Sequence, residues 1–231
     1  MIYFTGDTHG DLERIAQFCK ENGLTEDDVM IILGDAGLNY HTDMRGKIMK
    51  KQYARVITCT LLCVHGNHEQ NPEYMDSMKE KHWKGGTVFY EEEFPDFLYA
   101  KDGEIYDLDG KKTVALGGAY SIDKEYRLAY GGNWFPDEQM SPDVMKRCED
   151  NLAAAGWEVH TVLSHTVPIS AEPVEHFIRG IDQSKVDRTM EFWLESIKDR
   201  LVYKRWLAGH YHCEVRKCGN IQIWYESIRK F

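Results

Sequence analysis

Five short apolar runs in this chain each stop at a cluster of Asp, Asn and His. Ile2 to Thr5 ends in Gly6-Asp7-Thr8-His9, and Val29 to Leu33 ends in Gly34-Asp35. Leu61 to Val64 ends in His65-Gly66-Asn67-His68-Glu69, Val159 to Leu163 in Ser164-His165, and Arg205 to Ala208 in Gly209-His210-Tyr211-His212. The first three runs are continuous rather than alternating, which suits strands buried on both faces of a helix-covered sheet. Leu12, Ile15, Ala16 and Cys19 recur at helical spacing between the first two runs. Met44, Ile48 and Met49 do so between the second and third, in a Lys-rich stretch carried on to Arg55. Asp7 to Asp35 and Asp35 to Asn67 each span about the ~30 residues of a strand-helix-strand unit. The start therefore reads as βαβαβ with right-handed crossovers.

The middle of the chain changes character. Thr87 to Tyr90, Phe97 to Ala100, Glu104 to Leu108 and Lys112 to Leu116 are short strand-like runs separated by Gly or Asp, which suits antiparallel pairing. Ser141 and Pro142 read as N-cap and first position of a helix to Ala155. Asp187 to Leu201 reads as a helix with Met190, Trp193, Leu194, Ile197 and Leu201 on one core-facing stripe. His212 to Lys217 and Ile221 to Trp224 read as a hairpin turning at Gly219-Asn220. No linker or repeat divides the 231 residues, so one domain over 1–231 is expected, of α/β class with mixed sheets.

In open α/β sheets, sites form in the crevice outside the carboxyl ends of the strands. Asp7, His9, Asp35, Asn67, His165, His210 and His212 are seven oxygen or nitrogen ligands delivered from five such ends. A mixed imidazole and carboxylate set suits Mn, Fe, Zn or Ni, and the lack of Cys disfavours a structural zinc. Taken singly the pieces are weak. Asp-x-His occurs by chance, Gly-Asp is an ordinary capped turn, and Gly-His-x-His can be two surface histidines. Order and strand-end placement make the set specific.

Asp7-x-His9, Gly34-Asp35, Gly66-Asn67-His68-Glu69, His165 and Gly209-His210-x-His212 resemble, in order, the motifs of the calcineurin-like metallophosphoesterases. The resemblance implies a four-layer α/β/β/α sandwich of two mixed sheets with a two-metal site at the strand ends. It implies that Asp7, His9, Asp35 and His212 hold one divalent or trivalent ion. Asp35, Asn67, His165 and His210 would hold the other, with Asp35 bridging, while His68 stays off the metals. Two ions about 3.5–4 Å apart clamp both sides of an in-line displacement at phosphorus and make hydroxide available near neutral pH. The implied reaction is metal-activated hydroxide attack on a phosphate mono- or diester, with His68 as general acid. The Ser/Thr protein phosphatase branch continues Gly-Asp with two residues and Asp-Arg-Gly. Here Leu38 stands at that Asp and the Arg is absent, which weighs against protein-phosphatase activity and leaves the orienting partner of His68 open.

Lys124, Arg127 and Tyr40 are candidates for substrate binding, against the plainer reading of solvated loop residues. Trp134-Phe135-Pro136 is expected to pack over the cleft, and His65, His82, His160 and His176 lack motif context. A net charge of −10, from 28 basic and 38 acidic residues, argues against broad binding to nucleic-acid backbones. A small or accessible phosphate ester is the expected partner. Six cysteines without a CxxC pair read as free thiols. With no export signal or apolar run of membrane-spanning length, they point to a cytoplasmic enzyme without a membrane partner. The competing class is a catalytically inactive metal-binding scaffold or interaction protein of the same fold. Metal-dependent hydrolysis of another bond is a third option.

Overall fold

The computed structural model describes residues 1–231. Strand β1 (Ile2–Thr5) leads through α1 (Glu13–Asn22) to β2 (Val29–Ile32), and α2 (Met44–Tyr53) leads to β3 (Thr60–Cys63). Then come β4 (Lys79–Trp83), β5 (Gly86–Glu91), β6 (Phe94–Ala100), β7 (Ile105–Leu108) and β8 (Lys111–Leu116). Helices α3 (Lys124–Tyr130) and α4 (Pro142–Ala154) precede β9 (Thr161–Ser164). The chain closes with α5 (Thr189–Arg200), β10 (Arg205–Ala208), β11 (Val215–Lys217), β12 (Ile221–Ile223) and β13 (Arg229–Lys230).

Two mixed sheets result. One has the order β13-β1-β2-β3-β6-β5-β4, with β1, β2, β3 and β6 parallel. The other has the order β11-β12-β10-β9-β8-β7, with β12, β10, β9 and β8 parallel. The period of two along each strand explains the layering. Ile2, Phe4, Val29, Ile31 and Leu62 face a core shared with Ala115, Leu163 and Leu207 of the second sheet. Their neighbours Met30, Ile32, Leu61 and Cys63 face α1 with Ile15, Ala16 and Cys19. On the far side, Val114, Val162 and Trp206 pack against Cys148 and Leu152 of α4 and Met190, Leu194 and Ile197 of α5. The layers are thus α/β/β/α, and strands buried on both faces account for the unbroken apolar runs.

The middle strands divide between the sheets. β5 and β6 pair antiparallel, as do β7 and β8. Yet β6 adds parallel to β3, and β8 adds parallel to β9. The expected antiparallel pairing is present, as a β4-β5-β6 meander in the first sheet and a β7-β8 hairpin in the second, and each joins a parallel core through one strand. Helix α2 is present, but Met44 and Ile48 are exposed and Lys50 is buried. Lys50 Nζ donates to Asn39 Oδ1 (2.8 Å) and to Glu91 Oε2 (2.5 Å), so of the expected apolar positions only Met49 packs on the core, and a buried lysine helps anchor that helix. Ser141 caps α4, accepting from the Val144 amide at 3.3 Å. All six cysteines are free thiols, and no helix is long and apolar enough to cross a membrane.

Trp206 is the largest fully buried side chain, and its Nε1 donates to Ser164 Oγ at 2.7 Å. Trp206→Ala should cost about 3–5 kcal/mol, the range for truncating a buried aromatic. For a chain of this length the drop in Tm should be on the order of 10 °C by calorimetry. An unchanged Tm would show that the α4/α5 layer does not depend on this side chain.

Candidate metal centre

The carboxyl ends of β1, β2, β3, β9 and β10 bring all seven candidate ligands together. The loops approach closely because small residues precede the ligands. A Cβ on Gly34 would strike the His165 ring, and one on Gly209 would strike Asp7 Oδ1 and the Leu33 carbonyl. Eight non-glycine residues have positive φ, and His9, Asp35, His210 and His212 are four of them. Left-handed backbone at non-glycine residues costs energy and gathers where a site imposes it.

Backbone contacts lock the carboxylates. Asp7 Oδ1 accepts from the His210 amide at 2.9 Å, and Asp35 Oδ1 accepts from the His68 amide at 2.8 Å. The second oxygens point into the cluster. Asp7 Oδ2 is buried with no hydrogen-bond partner, 3.2 Å from His212 Nε2 and 3.8 Å from His9 Nε2. Asp35 Oδ2 lies 3.5 Å from His165 Nε2 and 3.8 Å from His9 Nδ1, between the two groups of ligands.

The imidazoles are oriented from behind. His165 Nδ1 donates to the Leu33 carbonyl at 2.9 Å, which turns Nε2 toward Asn67 Oδ1 (2.8 Å). A ligating histidine is commonly held this way by its other ring nitrogen. Asn67 Nδ2 donates to Ser121 Oγ at 2.8 Å, so its carbonyl oxygen is the atom presented to His165 Nε2 and, at 3.1 Å, to His210 Nδ1. His9 Nε2 and His212 Nε2 stand 2.8 Å apart, and Tyr225 stacks on the His212 ring.

Lone pairs outnumber hydrogens in this cluster, and either protons or metal ions can supply the positive charge it needs. Burial alone would raise Asp7 and Asp35, but the surrounding imidazoles hold both below the usual carboxylate range. Burial opposes the charged form of His165 too, yet Asp35 pushes it up to about 9. Burial and then the charge of His165 push His210 down to about 3. Three groups have ligand atoms within 4.8 Å of one another: Asp7, His9 and His212; Asp7, Asp35 and His165; and His9, Asp35 and His68. The donor set fits divalent metal ions, with Asp7, His9 and Asp35 each common to two of the groups.

His68 meets the third group by distance but differs in its neighbours. Its two ring nitrogens face Arg127 Nη2, and Asp123 Oδ1 lies 3.9 Å from Nε2. A guanidinium against both nitrogens repels a cation there, so geometry favours a non-ligand. Arg127 is itself held by Asp123 Oδ2 (2.8 Å) and by the Asn133 carbonyl (3.1 Å). Glu69 points away. Its oxygens accept from the Ala36 and Asn39 amides and tie down the loop after β2.

The other candidates stand further off. Lys124 lies over the Trp134 ring, 4.0 Å from its centroid, and Trp134 Nε1 donates to Glu138. Tyr40 accepts from Asn133 Nδ2 through its carbonyl at 2.8 Å, so it braces the 131–135 loop. Neither lines the cavity that opens from Asp35, Asn67, His68, His210 and His212, and nor does Arg127, Trp134, Phe135 or Pro136. His176, set aside in the sequence, does line it. Sequence reasoning missed Ser121, Asp123, Arg14 and Tyr225. Arg14 Nη2 donates to the Asp7 carbonyl (2.6 Å) and to that of Tyr225 (3.1 Å). Nothing about an arginine in an amphipathic helix announces such a role. Asp123 lay in plain view, four residues before Arg127 at ion-pair spacing.

Known proteins provide three points of comparison. The crystal structure of TT1561 from Thermus thermophilus aligns with a TM-score of 0.47 at 14% identity, over 97% of this chain and 87% of that one. An uncharacterized protein of Haemophilus influenzae is 25% identical over 177 residues. That match takes in 76% of this chain and 64% of the relative, so the chain spans less than two thirds of that protein's length. The profile of the calcineurin-like phosphoesterases (Metallophos) matches residues 1–214, which contain every candidate ligand. With that match across nearly the whole chain, over two mixed sheets that converge their strand ends on a metal-ligand cluster, this chain belongs to the calcineurin-like phosphoesterases, a family of metal-dependent phosphoesterases.

Proposed function

We propose that the protein hydrolyses a phosphate mono- or diester at a dinuclear metal centre. The observation that carries this is the placement of Asp35 Oδ2 between His9 on one side and His165 on the other. Asp7, His9, Asp35 and His212 would hold one ion, and Asp35, Asn67, His165 and His210 the other. Manganese, iron, zinc or nickel suit the donors. When bound, such a pair supplies Lewis acidity at the phosphoryl group and a lowered water pKa.

The chain's own residues do the rest. Ser121 and Leu33 fix which atoms of Asn67 and His165 face the centre. Arg127, now turned to Asp123, Asn133 and His68, would bind a phosphoryl oxygen through its planar donors once substrate is present. His68 would give a proton to the leaving oxygen. In the free protein burial, with Arg127 alongside, pushes His68 down to about 4, although Asp35 pulls the other way. A substrate's negative charge beside the ring would favour the protonated form that the acid role needs. Asp123 orients the pair from the far side.

Reconstitution with manganese should give up to two ions per chain by elemental analysis, and hydrolysis of a chromogenic phosphate ester should follow. A stoichiometry that stays at one, with Asn67→Ala changing nothing, would sink the dinuclear assignment. Two ions without hydrolysis of any ester would point instead to a metal-binding scaffold.

A further inference from the structure

One cavity adjoins the candidate metal centre, and its volume is about 550 Å³. That lies within the roughly 300–1,000 Å³ of small-ligand sites. Its polar end is the ligand cluster with His68. Its walls mix apolar side chains with the polar Asp123, Glu172, Gln183 and Arg188, and the apolar ones come from two elements that the metal site does not need. Ile122 and Tyr126 stand on the α3 side, and Phe177, Ile178 and Ile181 on the segment before α5. Tyr126 and Ile178 are about two-thirds exposed (66% and 65%), and large apolar side chains gathered around a cavity mark a binding surface. The Phe177 and Tyr211 rings, both on the lining, lie parallel at 10° with centroids 6.1 Å apart, so aromatic stacking is already built into this wall.

Glu191, from the first turn of α5, also lines this cavity. It is 4% exposed. Its Oε1 accepts from Thr166 Oγ1 at 2.7 Å, while Oε2 is buried without a partner. The nearby Arg188 is engaged elsewhere, donating to Glu172 and Gln183. A buried carboxylate oxygen left unpaired is costly, and a donor from a bound molecule would satisfy it.

We propose that this cavity is the subsite for the organic part of the substrate, built for a flat heteroaromatic ring carrying an N–H donor, of the nucleobase class. The assignment rests on the phosphoesterase reading for the phosphate end alone. A sugar would set many of its hydroxyls against Ile122, Tyr126, Phe177 and Ile178. An alkyl chain would leave Glu191 Oε2 unpaired. A flat ring stacks on the wall and presents an edge N–H to the carboxylate. The net charge of −10 keeps the substrate to a mononucleotide rather than a polynucleotide.

The test uses the manganese-loaded full chain with two readouts. Calorimetric titration with adenosine and with guanosine, which carry no phosphate, reads the subsite. The ratio of kcat/KM for the nucleoside 5′-monophosphates over that for glycerol 2-phosphate reads selectivity. Binding of at least one nucleoside and a ratio of about 10 or more are expected, the scale of one base–aromatic stack. Phe177→Ala, Glu191→Gln and the exposed variant Ile178→Asp should each lower the ratio several-fold and weaken nucleoside binding. Glycerol 2-phosphate turnover with a ratio near one and no nucleoside binding overturns the subsite and leaves the phosphoesterase standing. Nucleoside binding weakened by these variants, with no ester hydrolysed, supports the subsite and overturns the phosphoesterase. Loss of nothing in Ile178→Asp and Phe177→Ala, both folded by thermal melting, also overturns the subsite.

Discussion

Asp35→Asn should strip the protein of bound metal and abolish hydrolysis of every phosphate ester alike. Asp35 is buried and divides its two oxygens between two tasks. Oδ1 accepts from the His68 amide, which holds the loop after β3, and Oδ2 faces His165 and His9. An amide has a single acceptor oxygen. Turned toward His68 N–H, it presents an NH2 to the ligand cluster; turned the other way, it sets NH2 against N–H. Either rotamer removes a charge that the imidazoles surround. The activity loss should exceed the roughly 10²–10³-fold that removing a single transition-state donor costs. A readout independent of activity goes with it. An ion at 100 times its Kd stabilises a fold by about 2.7 kcal/mol. Added manganese should therefore raise the Tm of the wild type and leave that of Asp35→Asn nearly flat. A variant with full metal content and a normal manganese-dependent Tm would remove Asp35 from the ligand set.

The parts of this site that are legible in sequence share a physical origin. Strands buried on both faces must be apolar throughout, so β1, β2, β3 and β10 stand out, and their last residues are easily located. The glycines before Asp35 and His210 reflect tight packing against His165 and Asp7, which adds a second signal at the same places. The parts that are not legible lack such constraints. α3 buries no residue, so it has no periodicity to detect and reads as a charged loop. Yet it carries Arg127 to His68. β4 is largely exposed, and β13 is two residues long. Lys50 sits in a run of lysines that resembles a solvated face, and only Glu91 and Asn39, distant in sequence, make its burial tolerable. The cavity wall at Phe177 and Ile178 comes from irregular chain between the short 3₁₀ turns Val174–His176 and Gln183–Lys185, and no pattern rule addresses that.

His68→Ala is expected to separate proton donation from metal binding. The ring is held by Arg127 and Asp123 instead of by the ligand residues, so its removal should leave metal content and Tm near the wild-type values. General acids contribute about 10²–10⁴-fold. That loss should fall on esters of basic alcohols, whose leaving oxygen needs the proton. A nitrophenolate departs unaided and should lose far less. The neighbouring guanidinium provides the control. Arginine does not give up its proton, so Arg127→Ala should weaken all esters through lost phosphate contact and, by lifting a charge that depresses His68, should not add a loss that grows with leaving-group basicity. The two variants thus differ in slope against leaving-group basicity, not merely in size. The grouping of His68 with His9 and Asp35 within ligand distance supplies the rival outcome. If His68→Ala releases metal, or if its losses are equal across aryl and alkyl esters, the residue is a ligand or a packing element and the proton must come from elsewhere.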